Sequence, residues 1–277
     1  MEKVSNIIPY FRKELSAIFN DREVLNWAYL SIEYLLGYNR SECIIHSEKS
    51  IDIRVSDKLK NIIADLKTNK PFQYILGETY FYGLKIILNM HTLIPRPETE
   101  ELVEWVLKEN FNSALDIGTG SGCIAIALAK YSNADVSAID ISEQALKVAK
   151  ENEILNSVQV NWSQQDILEV KSLAKVDLFV SNPPYVLNSE KERMQKNILE
   201  YEPHLALFVP DNDPLIFYKK IADIATESLT AGGKLFFEIN EYFANELIAI
   251  LTQIGFVDIQ LKKDINDRDR MIKATWK

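Results

Sequence analysis

The sequence predicts an α/β protein in which a parallel sheet covered by helices follows a small all-α bundle and a β-hairpin. Apolar residues recur at helical spacing from the start of the chain to about Gly77. Over residues 78–93 the spacing changes to a period of two, which is typical of a hairpin. From Ser113 onward, strand-like and helix-like segments alternate. Such alternation predicts a parallel sheet with helices on its faces.

These patterns divide the 277 residues into three parts. Residues 1–77 are predicted to form a helical domain, in which Gly37 ends one helix and residues 56–68 form another. Residues 78–93 are a hairpin connector, and residues 94–277 form the α/β domain. Helical periodicity alone leaves two roles for the first domain: it docks a substrate, or it only stabilises the rest.

The α/β domain begins with a proline-rich stretch in which Pro97 starts a helix. After an irregular stretch at 182–213, a polar segment joins the last two strands, which can therefore pair antiparallel. The predicted strands are 114–117, 135–139, 159–162, 177–180, 234–239, 257–261 and 271–275. The predicted helices that alternate with them are 124–130, 143–156, 215–229 and 242–254.

Composition and charge exclude several classes of protein. The formal net charge of −9 argues against a protein that holds nucleic acid mainly through phosphate contacts. No apolar run is long enough to cross a bilayer, and the first residues show no signal peptide. Two cysteines and three scattered histidines offer neither a disulfide framework nor zinc-ligand spacing. We expect a cytoplasmic protein with metal-free chemistry.

A glycine-rich turn follows the first predicted strand of the α/β domain. It consists of Gly118, Thr119, Gly120, Ser121 and Gly122. Glycines at such a turn permit positive φ and let the backbone approach a ligand closely. The alternative is a tight strand–helix turn without a ligand. A dinucleotide site needs G-x-G-x-x-G, and Cys123 occupies the position of its third glycine, so the spacing disfavours NAD.

Acidic residues follow the next two predicted strands. Asp140 is placed to accept both ribose hydroxyls of a nucleoside, or else to cap the next helix, a role that Ser142 can also fill. Asp166 is placed to bind the amino group of adenine, with Ile167 packing on the ring, or else to serve as a turn residue. Ligands of doubly wound folds bind at this edge of the sheet.

The stretch Asn182-Pro183-Pro184-Tyr185 follows a further apolar strand. An amide or aromatic amino nitrogen is a poor nucleophile, so a site must hold its two hydrogens and direct its lone pair. The Asn182 oxygen and the Pro183 carbonyl can accept those hydrogens, and the prolines hold that carbonyl still. Tyr185 offers a flat face for stacking. The alternative is a Pro-Pro loop that only ends the strand.

Together, the two motifs resemble S-adenosylmethionine-dependent methyltransferases that act on amino nitrogens. More narrowly, the chain is similar to the bacterial peptide-chain release factor glutamine methyltransferases, the PrmC/HemK family. The segments that carry this resemblance are PFQYILGE at 71–78, LIPRPETE at 93–100, 115–129, SNPPY at 181–185, YEP at 201–203 with Ala206 and Leu207, and 264–270.

The resemblance implies a Rossmann-like class I methyltransferase sheet and methylation of the glutamine in the Gly-Gly-Gln motif of class I release factors. Three segments depart from the family pattern: Ile167 replaces a frequent aromatic, 210–215 replaces Gly-x-Asp-Gly-Leu, and Asn240 replaces a glycine. The residues implied for cofactor binding are Gly118, Thr119, Gly120, Ser121, Gly122, Asp140, Asp166, Ile167 and Asn182. Those implied for holding the glutamine are Asn182, Pro183, Pro184 and Tyr185.

Two other functions remain open from the residues alone. DNA or RNA methyltransferases that act on adenine or cytosine in a flipped base use a similar Asn-Pro-Pro-aromatic motif. Against them stand the charge of −9 and the lack of a basic, aromatic-interleaved stretch. The other alternative is a non-catalytic nucleotide-binding protein. We therefore expect a protein substrate, no stable nucleic-acid complex and no membrane attachment.

Overall fold

The computed structural model describes residues 2–277, which form two units. The first consists of residues 2–77 with Lys196–Tyr201, and the second of Glu78–Gln195 with Glu202–Lys277. The helices are α1 (Ile7–Leu15), α2 (Asp21–Leu36), α3 (Arg40–Ile45), α4 (Ile53–Lys67), α5 (Phe72–Leu76), α6 (Pro97–Val106), α7 (Cys123–Tyr131), α8 (Glu143–Asn156), α9 (Lys196–Tyr201), α10 (Ile216–Ser228) and α11 (Ala244–Ile254). The strands are β1 (Glu78–Phe81), β2 (Leu84–Ile87), β3 (Ser113–Ile117), β4 (Asp135–Asp140), β5 (Asn161–Gln164), β6 (Val176–Ser181), β7 (Val186–Leu187), β8 (Phe208–Val209), β9 (Leu229–Glu238), β10 (Val257–Lys263) and β11 (Asp269–Thr275).

The first unit is a helical bundle whose helix ends follow from local chemistry. The Asn20 side chain caps α2 by accepting from the Glu23 amide, and Gly37 ends that helix at a φ of 70°. Asp52 caps α4 in the same way. The amphipathic faces of α1, α2 and α4 meet in an apolar core that is separate from the core of the second unit.

Helix α9 clusters with the first unit, although the sequence assigned its residues to the α/β domain. The Tyr201 hydroxyl donates to the Thr68 carbonyl oxygen at 2.9 Å. A helix of six residues has too few positions for a periodic pattern, so local sequence does not show which core it joins.

The second unit contains a seven-stranded sheet of order β10-β11-β9-β6-β3-β4-β5. Strand β11 runs antiparallel to both of its neighbours, and the other pairs are parallel. Helices pack against the sheet, and the predicted α/β class with an antiparallel terminal strand is confirmed. The carboxyl ends of β6, β3, β4 and β5 therefore lie side by side at one edge.

Several predicted element bounds were shifted. Strand β5 begins and ends two residues later than predicted, and Asp166 lies two residues beyond its last residue, Gln164. Strand β9 begins at Leu229, five residues earlier than predicted, and its pairing with β6 is irregular between Leu229 and Lys234, where Gly232 has a φ of 78°. The stretch 182–213 is less irregular than predicted, because β7 pairs with β8 within it.

The hairpin β1–β2 belongs to the second unit rather than lying between two domains. The fully buried Asn152 of α8 holds it, accepting from the Ile87 amide at 2.6 Å and donating to the Ile87 carbonyl at 2.9 Å. The same side chain donates to the Ser121 carbonyl at 3.0 Å. One amide thus fixes both the hairpin and the glycine-rich turn.

Candidate active site

A cavity of about 280 Å³ opens at the carboxyl ends of the parallel strands. Most of the predicted site residues line it: Gly118, Thr119, Gly120, Ser121, Asp140, Asp166, Ile167, Asn182, Pro183 and Pro184. Gly122 and Tyr185 are the two predicted site residues that do not form its wall. The structure therefore brings the glycine-rich turn and the Asn-Pro-Pro stretch into one concave site.

The three glycines of the turn play different parts. All have positive φ, at 74° for Gly118, 56° for Gly120 and 80° for Gly122. A Cβ at Gly118 or Gly120 would meet nothing within 4 Å, so the chain leaves open space there for a ligand. A Cβ at Gly122 would lie 2.8 Å from the Trp162 ring. Gly122 is thus required for packing of the helix that follows.

Asp140 ends β4 and lines the cavity beside the glycine-rich turn. Its Oδ2 accepts from the Gly120 amide and its Oδ1 from the Ser142 amide, both at 2.8 Å. The helix cap is supplied by Ser142, whose hydroxyl accepts from the Ala145 amide at 3.1 Å. Burial raises the pKa of Asp140, and the backbone hydrogen bonds oppose this rise. Each carboxylate oxygen retains a lone pair for a ribose hydroxyl.

Asp166 and Ile167 form the next part of the wall. Asp166 Oδ1 accepts from the Leu168 amide at 2.9 Å, which is the turn interaction that the sequence left as an alternative. The other oxygen of Asp166 is still suited to an amino group. Ile167 packs against the core of the second unit and presents an apolar surface to the cavity.

Asp116 lies beneath the glycine-rich turn, and sequence reasoning missed it. It is fully buried in β3, and its Oδ2 accepts from the Thr119 hydroxyl and from the Ala125 amide. Its Oδ1 has no hydrogen-bond partner among the described residues. Burial raises the pKa of Asp116 to about 7, and the nearby Asp140 acts in the same direction. A carboxyl group within an otherwise apolar strand was the signal available in the sequence.

These features fit the cofactor that the resemblance implies. Two buried carboxyl groups at one turn are costly unless a positive charge compensates them. S-adenosylmethionine carries a sulfonium and an ammonium group, and its flat adenine suits the apolar wall that includes Ile167. The open space at Gly118 and Gly120 lets the backbone approach such a molecule closely.

Hydrogen bonds to buried side chains hold the Asn-Pro-Pro-Tyr stretch in place. The Asn182 amide nitrogen lies 3.3 Å from the Thr99 hydroxyl, and Thr99 donates to Glu238 Oε2 at 2.6 Å. The Tyr185 hydroxyl donates to Glu238 Oε1 at 3.2 Å, and Asn240 donates to the Tyr185 carbonyl at 3.1 Å. The ring of Tyr185 packs against the core, whereas the sequence favoured stacking on the substrate. Thr99 and Glu238 were not predicted.

An ion pair includes Arg96, another residue that lines the cavity. Arg96 Nη2 lies 2.6 Å from Glu202 Oε1, and the Ile94 amide donates to Glu202 Oε2 at 3.3 Å. Glu202 is almost fully buried, whereas Arg96 is one-third exposed and lines the cavity. The stretch 210–215, which departs from the family pattern, follows Glu202 in the chain. Within it, Asp211 accepts a hydrogen bond from the Ser189 hydroxyl at 2.8 Å.

Other reactive groups offer no competing chemistry. Cys123 lines the cavity, but burial raises the pKa of its thiol to about 12, so it stays protonated at neutral pH. Across residues 2–277, His, Cys, Asp and Glu side chains form no group of three that suits a metal ion. Nor does any helix of this range have the length and apolarity to cross a membrane.

Comparison with known proteins agrees with this geometry. Residues 8–77 match the PrmC N-terminal domain, and residues 97–205 match the methyltransferase small domain. The fold resembles that of a methyltransferase from Pyrococcus furiosus, with a TM-score of 0.54 and 20% identity over 78% of this chain and 98% of that one.

Two relatives match nearly the full length of the chain. The release factor glutamine methyltransferase of Flavobacterium psychrophilum is 46% identical over 99% of both chains. That of Bacteroides thetaiotaomicron is 41% identical over 98% of this chain and 99% of its own. Because these relatives match the chain at this identity over nearly its whole length, the chain belongs to the release factor glutamine methyltransferase family.

Proposed function

We propose that this enzyme transfers a methyl group from S-adenosylmethionine to the side-chain amide nitrogen of the glutamine in the Gly-Gly-Gln motif of class I release factors, and so supports translation termination. One observation carries the proposal: Asn182, Pro183 and Pro184 share a single cavity with the glycine-rich turn and Asp140. A group that binds amide hydrogens thus faces the same space as a group suited to a nucleoside.

Each wall of the cavity has a distinct task. Gly118–Gly120 would approach the cofactor closely, Asp140 would accept its ribose hydroxyls, and Asp166 with Ile167 would hold the adenine. When bound, S-adenosylmethionine would supply an electrophilic methyl group, with the electron pair of its S–C bond remaining on sulfur. Asn182 Oδ1 and the Pro183 carbonyl accept the two hydrogens of the glutamine amide. The lone pair of the nitrogen then points at the methyl carbon.

Catalysis rests on position and charge rather than on a strong base. As the N–CH₃ bond forms, the nitrogen becomes positive, and its hydrogens become better donors to the two oxygens that hold them. Those contacts therefore strengthen in the transition state. The nitrogen gains its fourth bond first and then loses a proton to water, which restores the neutral amide. No side chain has to remove that proton beforehand.

The helical unit is proposed to dock the release factor. Ile44 and Ile45 at the end of α3 are 77% and 74% exposed, which is unusual for adjacent isoleucines and suits contact with a protein. Replacing both by aspartate should raise KM for the intact release factor and leave KM for a short Gly-Gly-Gln peptide unchanged. If both KM values stay at the wild-type level, this surface does not dock the substrate.

Because release factors act on ribosomes in the cytoplasm, the enzyme is proposed to act there as well. We propose no stable nucleic-acid complex, since the net charge of −9 opposes phosphate binding. The decisive experiment incubates the purified enzyme and labelled S-adenosylmethionine with release factor, DNA or RNA. Mass spectrometry should find one methyl group on the glutamine of the Gly-Gly-Gln motif. Label in nucleic acid alone would contradict the proposal.

A further inference from the structure

We propose that Glu238, acting through Thr99, sets the orientation of the Asn182 carboxamide and so makes the site selective for an amide over a carboxylate. This inference rests on the proposed function and assigns two positioning residues to it. Neither residue touches the reacting atoms in this scheme.

Glu238 is the starting point because both of its carboxyl oxygens accept hydrogen bonds from hydroxyl groups. It ends β9, is 1% exposed, and receives one hydroxyl at each oxygen, from Thr99 and from Tyr185. Burial raises the pKa of Glu238 above its usual value, and the Thr99 hydrogen bond and the charge of Arg270 oppose this rise without cancelling it. Arg270 is itself held by Asp264, at 3.2 Å, and by the Ile239 carbonyl.

Thr99 connects Glu238 to Asn182 through hydrogen bonds to both side chains. Its hydroxyl carries one hydrogen, which the carboxylate receives across 2.6 Å. Towards Asn182 the same oxygen can therefore act only as an acceptor. The Asn182 side chain accordingly turns its NH₂ group to Thr99, at 3.3 Å. Since the oxygen and nitrogen of a carboxamide lie on opposite sides of its carbon, Oδ1 is directed away from Thr99.

The orientation of the Asn182 carboxamide determines which substrate side chain the site accepts. With Oδ1 as its outward group, Asn182 pairs with the NH₂ group of a glutamine. A glutamate carboxylate would place an acceptor against an acceptor and leave both without a partner, which costs free energy in a closed site. With the opposite orientation of the amide, the preference would be reversed. Asn alone does not specify this, because its two ends are almost identical in shape.

The test compares Thr99→Val, Thr99→Ser and Glu238→Gln with wild type in the intact enzyme. Valine keeps the shape of threonine without its hydroxyl, and serine keeps the hydroxyl. Glutamine at 238 can donate to Thr99, which frees the threonine hydroxyl to donate to Asn182 Oδ1 and reverses the amide. Both Thr99→Val and Glu238→Gln should lower kcat roughly 10- to 100-fold, and Thr99→Ser should restore most of it.

A second readout separates orientation from general damage. Release factor in which the Gly-Gly-Gln glutamine is replaced by glutamate serves as a competitive inhibitor. Relative to KM for the natural factor, its inhibition constant should fall about tenfold in Glu238→Gln. The thermal midpoint of each variant, measured alongside, shows whether it has folded, and Glu238→Gln carries the test if Thr99→Val does not fold.

The outcomes distinguish this inference from the proposed function. Wild-type kcat in Thr99→Val, or an unchanged ratio of inhibition constant to KM in folded Glu238→Gln, overturns the positioning role. Equal losses in Thr99→Ser and Thr99→Val also overturn it, because the hydroxyl would then not matter. If the wild-type enzyme methylates no release factor, the proposed function fails instead.

Discussion

The Gly120 amide donates a 2.8 Å hydrogen bond to Oδ2 of Asp140, which joins the glycine-rich turn to the end of the neighbouring strand. Asp140 thus shapes the turn and offers its remaining lone pairs to the cofactor. Asp140→Asn removes the negative charge and one acceptor, and should raise Kd for S-adenosylmethionine about tenfold or more. Isothermal titration calorimetry measures this.

The control for this prediction is Asp135→Asn. Asp135 begins the same strand at its opposite end and is exposed. The Asp135→Asn variant removes the same charge far from the cavity, so its Kd for S-adenosylmethionine should stay at the wild-type value. Equal losses of affinity in the two variants would show that overall charge, rather than a contact of Asp140, determines binding.

Two glycines of the same turn should respond differently to alanine. Gly120→Ala meets no atom but must adopt a positive φ, which costs about 1–2 kcal/mol, and its methyl group enters the space reserved for the cofactor. Gly122→Ala adds a contact of 2.8 Å with Trp162 and should cost about 2–4 kcal/mol in total. Urea unfolding and cofactor titration of both variants check this.

In this pair, Gly120→Ala should lose more affinity for the cofactor and Gly122→Ala more stability. If Gly122→Ala is as stable as wild type, its contact with Trp162 does not require a glycine.

The raised pKa of Asp116 predicts that the stability of the folded protein depends on pH. Its pKa rises from 3.8 to about 7 on folding, so the folded protein binds this proton more tightly. Its contribution to the free energy of unfolding is complete below pH 3.8 and is lost as the pH rises to about 7. Between pH 4.5 and 7.5, wild type should therefore lose more stability than Asp116→Asn, as measured by the thermal midpoint.

Asp177 provides a control of opposite sign. A hydrogen bond from the Asn112 amide lowers its pKa, so its contribution is present at neutral pH and is lost in acid. Compared with wild type, Asp177→Asn should thus lose stability at pH 7.5 and little at low pH. The prediction for Asp116 is wrong if its variant follows the wild-type pH profile.

Asn182 should be needed for turnover far more than for cofactor binding. Asn182→Ala removes the oxygen that is proposed to hold an amide hydrogen of the substrate, and kcat should fall about 100- to 1000-fold. Kd for S-adenosylmethionine should change by only a few-fold, because the glycine-rich turn and Asp140 remain. Single-turnover methylation of release factor measures the first quantity and calorimetry the second. Near-normal methylation by this variant would contradict the assignment.

Most of the fold could be predicted because its signals are local. Strand–helix alternation and the change of apolar spacing near residue 77 predicted the sheet and the helical bundle. Glycine, proline and acidic residues at strand ends predicted ten residues that line the cavity. The start of β9 was predicted less accurately, because the irregular pairing at Gly232 and Gly233 lies inside the strand and glycines are common both in turns and in strand bulges.

The chemistry at this sheet edge could be predicted from local sequence: a glycine-rich turn, Asp140 and an Asn-Pro-Pro stretch, each at the end of its own strand. The support of these groups depends on tertiary contacts. Thr99 contacts both Asn182 and Glu238, although 139 residues separate Thr99 from Glu238, and the Tyr185 ring packs against the core. Strand-end motifs follow from backbone periodicity, whereas donor–acceptor networks between distant segments arise only when packing excludes water and each buried polar group must find a partner.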